Sequence, residues 1–187
     1  MSDTPIPPWT VEHTRTVADR RIFSVDLVHA RSQLRPDQAG EFVVLDVPDW
    51  VNVLALTDDD QIVLVEQYRH GTQSITLEIP GGMVDPGEDM AVAGVRELRE
   101  ETGFAGDHAE LIGVVEPNPA FQNNRCGTLL VRGVRQVATQ DLDPNEEIRV
   151  SLEPLEHIPD LIRSGAITHS LVVAAFHHLS LLQARRP

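Results

Sequence analysis

Residues Gly82–Phe104 read GMVDPGEDMAVAGVRELREETGF, a glycine-rich turn running into a segment whose acidic residues recur at helical spacing. If residues 91–102 are helical, Glu97 and Glu101 stand at i and i+4, and Glu100 is the i+3 neighbour of Glu97, so the three carboxylates share a face. Like charges at that spacing weaken an isolated helix, so a compensating cation is expected. Ligands made only of oxygen suit Mg²⁺ or Mn²⁺. A solvated acidic face would account for the glutamates alone, but not for Gly82, Gly87 and Gly103 bracketing them at these offsets.

The residues resemble the Nudix hydrolase signature: a glycine, five residues, a glutamate, seven residues, then Arg-Glu-apolar-x-Glu-Glu-x-Gly-apolar. Gly82, Glu88, Arg96, Glu97, Leu98, Glu100, Glu101, Gly103 and Phe104 fill it without departure. The resemblance implies an α/β fold, an α/β/α sandwich around a mixed β-sheet. It also implies hydrolysis of a nucleoside diphosphate linked to another group, by attack of a metal-activated water on the pyrophosphate. By position in the motif, Glu97 and Glu101 are expected as direct metal ligands and Glu100 as a ligand or close partner, with the Gly81 carbonyl as a further oxygen. Arg96, beside this cluster, is expected to orient a carboxylate; its plainer reading is a surface helix arginine.

Composition fits one domain, or a domain with an appendage: 187 residues with 41% hydrophobic content. Fifteen basic against 29 acidic residues give a formal charge of −14, which argues against broad nucleic-acid binding. The single Cys126 cannot form an internal disulfide, and neither a long apolar run nor a cleavable leader is evident, so a cytoplasmic protein without a membrane segment is expected. A buried structural thiol suits Cys126 better than a nucleophile, because no base is identifiable near it. His177 and His178 are neighbours on a predicted helix and point apart, which makes a poor metal site.

The chain opens on the proline-rich MSDTPIPP, and alternating stretches around residues 21–29 suggest an appended β segment over residues 1–40, with turn-forming residues at 35–40. From residue 41 onward, apolar runs at 42–47, 51–57, 62–68 and 76–79 read as strands, the last ended by Pro80 and Gly81-Gly82. Runs at 110–115, 127–134 and 148–152 read likewise, and the first two flank a loop with two prolines and three asparagines. Helices are expected at 159–164 and at 169–185, the latter with an apolar stripe of Leu171, Ala175, Leu179 and Leu182. Unpaired edges of the N-terminal segment predict a homodimer.

Substrate class rests on weaker signals. Tyr68 and Arg69 lie in a QYR run, and Glu78 in LEIPGG; both resemble elements of the ADP-ribose and nucleotide-sugar branch of the family. Arg69 offers a bidentate grip on phosphate, and Trp50 and Phe121 offer rings for a base, although each has an ordinary structural use. In that branch a late-loop glutamate serves as general base, and NEEIRV resembles it; Glu146 is the first candidate and Glu147 the second. The expectation is Mg²⁺- or Mn²⁺-dependent cleavage of a nucleoside diphosphate sugar. The alternatives are another diphosphate substrate (a dinucleotide, a coenzyme A derivative or a nucleoside triphosphate) or a non-catalytic nucleotide sensor.

Overall fold

A computed structural model describes residues 5–184, which divide into two compact units: residues 5–48 with Glu116–Asn124, and Asp49–Val115 with residues 125–184. In the first unit, β1 (Thr10–Arg20), β2 (Phe23–Arg31) and β3 (Ala39–Asp46) form an antiparallel sheet in that order. The expected N-terminal β segment is therefore a long hairpin plus a third strand. The boundary expected after residue 40 falls inside β3, and the strand expected at 42–47 pairs with β2, from Ser24 opposite Asp46 to Arg31 opposite Ala39. Its own edge receives the returning segment: Leu45 N donates to Phe121 O at 2.7 Å, and Asn123 Nδ2 to Asp46 Oδ1 at 2.6 Å. Glu12 binds both His29 and Arg31 across the hairpin. Ala30 is the only buried apolar side chain among the described residues of this unit.

The second unit contains β4 (Trp50–Leu56), β5 (Gln61–Arg69), β6 (Ser74–Glu78), β7 (Gly81–Met83), α1 (Met90–Thr102), β8 (Phe104–Ala105), β9 (His108–Val115), β10 (Cys126–Arg132), β11 (Arg135–Gln136) and β12 (Ile148–Pro154). A 3₁₀ turn, α2 (Ile158–Ser164) and α3 (Ser170–Ala184) follow. The main sheet runs β12-β5-β4-β10-β9, with β6 on β5 and β7 on β4; β4 and β10 are parallel and the other pairs antiparallel. Strand alternation sorts its side chains. Val51, Val53, Ala55, Leu129 and Val131 pack with Ala93 and Leu98 of α1, while Leu54, Leu56, Leu64 and Leu130 pack with Ile158, Val172, Phe176 and Leu179. The result is the expected α/β/α sandwich with a mixed sheet.

Helix α3 ends its description at Ala184, so Arg185, expected as its last residue, lies outside the described residues. Of the expected stripe, Ala175 and Leu179 are buried and Leu182 packs against the core, while Val172 and Phe176 are buried in place of Leu171. Ten of the 15 residues of this helix are apolar, so spacing alone left more than one face open, and the sheet selected one.

Candidate active site

Helix α1 is well delimited at both ends. Asp89 Oδ1 accepts from Ala91 N at 2.8 Å as N-cap, and Gly103, left-handed at φ 73°, closes the C-terminus with its N–H on Arg99 O at 2.9 Å. Between them Ala93, Gly94 and Leu98 face the sheet, which directs Glu97 and Glu101 to the edge where β7 runs past the helix. Close approach there explains the paired glycines. A Cβ on Gly81 would lie 2.2 Å from Val51 O, and one on Gly82 would lie 2.3 Å from Cδ of Glu97. Gly81 admits no side chain, and one at Gly82 would displace the Glu97 carboxylate.

Arg96 joins the motif's remaining charges. Its Nε and Nη2 donate to Glu88 at 3.2 and 3.0 Å, Nη2 also to Met83 O at 3.1 Å, and Nη1 to Glu97 Oε1 at 2.8 Å and Glu100 Oε2 at 3.1 Å. Glu88 in turn accepts from Asp85 N at 3.1 Å, so one guanidinium ties the turn to the helix. These bonds, above all to Glu88, raise the Arg96 pKa and keep it cationic.

Glu101 is 4% exposed, and its Oε2 accepts from Gly81 N at 2.9 Å. Burial pushes its carboxyl up to about 8, and the charges of Glu97 and Glu146 push the same way, against the Gly81 bond and Arg69. Glu97 is likewise raised by burial, with Arg96 opposing. As the side chains stand, no three of the described His, Cys, Asp or Glu residues are drawn round a common point, since Glu97 and Glu100 lean on Arg96. The donor set nevertheless fits a hard divalent cation: Arg96 bonds Glu97 and Glu100 but not Glu101, so positive charge is short where burial is deepest.

Glu78, 2% exposed, takes Arg69 in a bidentate pair, Nε to Oε1 at 2.8 Å and Nη2 to Oε2 at 2.7 Å, and Thr76 Oγ1 at 2.6 Å. Arg69 is thus oriented from below, with its charge reaching Glu101. Glu146, in the loop before β12, is exposed, and its charge bears on Glu97, Glu101 and Arg69. A cleft of about 650 Å³ opens beside the acidic helix, lined by Arg96, Arg99, Glu100, Gln140 and Asp141 among others.

The NUDIX domain profile matches residues 48–176. The chain belongs to the NUDIX family. Over 174 residues it is 28% identical to the ADP-ribose pyrophosphatase of Bacillus subtilis (strain 168), and 29% identical to the methanol dehydrogenase activator of Bacillus methanolicus; each match covers 91% of this chain and 94% of the relative. A crystal structure of ADP compounds hydrolase shares the fold at a TM-score of 0.85, covering 98% of this chain and 99% of that one at 22% identity.

Within this NUDIX chain the expected substrate residues Arg69 and Glu78 are paired, while the aromatic ones lie on separate elements. Trp50, half-buried, begins β4; Tyr68, 44% exposed, meets His70 edge to face at 5.1 Å; Phe121, 41% exposed, belongs to the first unit. Two residues escaped sequence reading. His169 Nδ1 lies 3.9 Å from Glu78 Oε2, buried and without a hydrogen-bond partner, and Gln140 donates to backbone carbonyls on both sides of its loop. Neither sits at a spacing that announces a contact, so no local pattern in the chain marks them.

Proposed function

We propose that the protein hydrolyses the pyrophosphate bond of a nucleoside diphosphate sugar of the ADP-ribose kind, giving a nucleoside monophosphate and a sugar phosphate. The observation that carries this reading is the complete acidic face of α1, with Glu101 buried and Glu97 half-buried against Gly81-Gly82, and Arg96 holding Glu97 and Glu100 in register. The ADP-ribose pyrophosphatase activity in the name of the Bacillus subtilis relative supports the substrate class. Glu97, Glu100, Glu101 and the Gly81 carbonyl would hold Mg²⁺ or Mn²⁺. A cation bound there neutralises diphosphate oxygens and acidifies a water.

The chain's own residues divide the remaining work. Arg96 keeps Glu97 and Glu100 oriented. Arg69, braced by Glu78, supplies a fixed cation for a phosphate, and Trp50 and Tyr68 offer rings to the base or sugar. Glu146 accepts the proton of the attacking water, its loop position allowing approach to a bound diphosphate. Assay of nucleotide sugars, dinucleotides and triphosphates with Mg²⁺ or Mn²⁺, products identified by mass, tests the substrate class. Glu101→Gln should abolish turnover while nucleotide binding survives.

A second reading follows from the relative named for activating methanol dehydrogenase: nucleotide binding that regulates a partner enzyme. No turnover across the whole panel, with nucleotide still bound, would favour it. The three-stranded sheet of the first unit, with almost no buried apolar residues of its own, supports a homodimer in which a second copy covers it. A monomer mass by light scattering at micromolar concentration would remove that part. A lone buried thiol suits a reducing cytoplasm, and no helix among the described residues is long and apolar enough to cross a membrane.

A further inference from the structure

The loop 141–147 carries Glu146 between the edge of α1 and the start of β12, and one side chain fastens both of its stems. Gln140 Nε2 donates to Glu101 O at 2.6 Å and to Ile148 O at 3.1 Å. The next residue adds Asp141 N to Glu100 O at 2.8 Å. Glu100 and Glu101 belong to the last turn of α1, whose carbonyls have no partner within the helix. A single amide nitrogen therefore links the helix that bears the acidic face, the entrance of the loop and its exit. Within the loop, Glu146 N donates to Asp143 O at 2.9 Å, and Asp143 N to Glu146 Oε2 at 3.1 Å. The tip is folded on itself, and its placement depends on the stems.

We infer that Gln140 is a positioning residue for hydrolysis: its amide ties the base of the 141–147 loop to the Glu101 backbone and thereby sets where Glu146 stands over the carboxylate face. This rests on the reading of Glu146 as the general base. The chemistry calls for glutamine in particular. Two carbonyl oxygens need two N–H donors, which one amide nitrogen supplies without charge; a glutamate at the same length would turn only oxygens towards them. Gln140 is exposed, so truncating it leaves no cavity in the core. A base displaced by even a fraction of an ångström loses near-attack geometry, and the loss falls on turnover rather than on binding.

The test is a double-mutant cycle on the full chain with Mg²⁺ and ADP-ribose, using Gln140→Glu, Gln140→Leu, Glu146→Gln and the pair Gln140→Glu/Glu146→Gln. Both Gln140 variants should lose about tenfold in kcat, with substrate KM and the Mg²⁺ activation constant held within about twofold and Tm unmoved. In the Glu146→Gln background, the further change should cost nothing, because the residue it positions is already gone. Unchanged kcat in both Gln140 variants, or losses that multiply in the pair, would overturn the inference. So would a fall in kcat matched by equal loss of Mg²⁺ affinity or of Tm, which would mark a merely structural role. If Glu146→Gln keeps full turnover, the general-base reading fails and the inference with it; if Glu146→Gln is crippled while Gln140→Glu is not, only the inference falls.

Discussion

Glu101 shows at the scale of one residue how burying a carboxylate beside other acidic groups costs stability once it ionises. Its folded pKa of about 8 stands above the ordinary carboxylate value of 4.5, so the folded state binds the proton more tightly than the unfolded state. The sign follows: its contribution to stability is complete below about pH 4.5 and is lost as pH rises towards 8. In EDTA, Tm of the protein should therefore fall between pH 5 and 8, relative to Glu101→Gln measured in parallel. The difference removes the opposing effect of His169, whose pKa burial lowers. Parallel curves for the two proteins would refute the assignment. Gly82 carries the same logic in steric form. Since an added Cβ would meet the Glu97 carboxylate at 2.3 Å, Gly82→Ala should lower kcat/KM by about 10²-fold, on the scale of a 1 Å misplacement, with circular dichroism unchanged.

Helix α1 was legible as an element because its carboxylates recur at helical spacing, glycines bracket them and the motif fixes the register; the Asp89 cap that starts it emerges only in the structure. The C-terminal glycine is under double constraint. At φ 73° it occupies left-handed backbone, and a Cβ there would lie 2.2 Å from Ala138 O, so Gly103→Ala should cost more than the roughly 1–2 kcal/mol of left-handed backbone alone, read as a drop in the urea midpoint. An unchanged midpoint would mean that segment 137–141 is not held against the helix end. Strands β4, β5 and β10 were legible for the similar reason that their apolar runs are bounded by turn residues. What stayed hidden was pairing: strand character at 42–47 says nothing of whether the partner is β2 or the main sheet, and the contacts of Gln140 span 39 and eight residues. The bidentate grip of Glu78 on Arg69 was equally invisible, although both residues were singled out, because their strands first had to be laid side by side.

At the scale of the whole molecule, the acidic face and the hydrophobic core share one scaffold, so any ion bound at that face would be linked to global stability. Strand β4 supplies Val51, Val53 and Ala55 to the core under α1, and its Val51 O and Asn52 are what bar a side chain at Gly81. Unfolding the sheet therefore dissolves the site, and a cation that binds only the folded form must raise the free energy of unfolding by mass action. Cys126 reports on this without engineering. It opens β10 with 2% exposure, and burial pushes its thiol up to about 12, so the native protein presents almost no thiolate to reagents. Reaction with a thiol-disulfide reagent should proceed through unfolded molecules. At an ion concentration roughly 100 times Kd, Mg²⁺ should then slow labelling about 100-fold when refolding outpaces labelling. The slowing should vanish in Glu97→Gln/Glu101→Gln, whose labelling in EDTA remains slow because the core is intact. Rapid labelling of the native chain would show the thiol to be accessible, and a rate indifferent to Mg²⁺ in the unaltered protein would uncouple the carboxylate face from any cation.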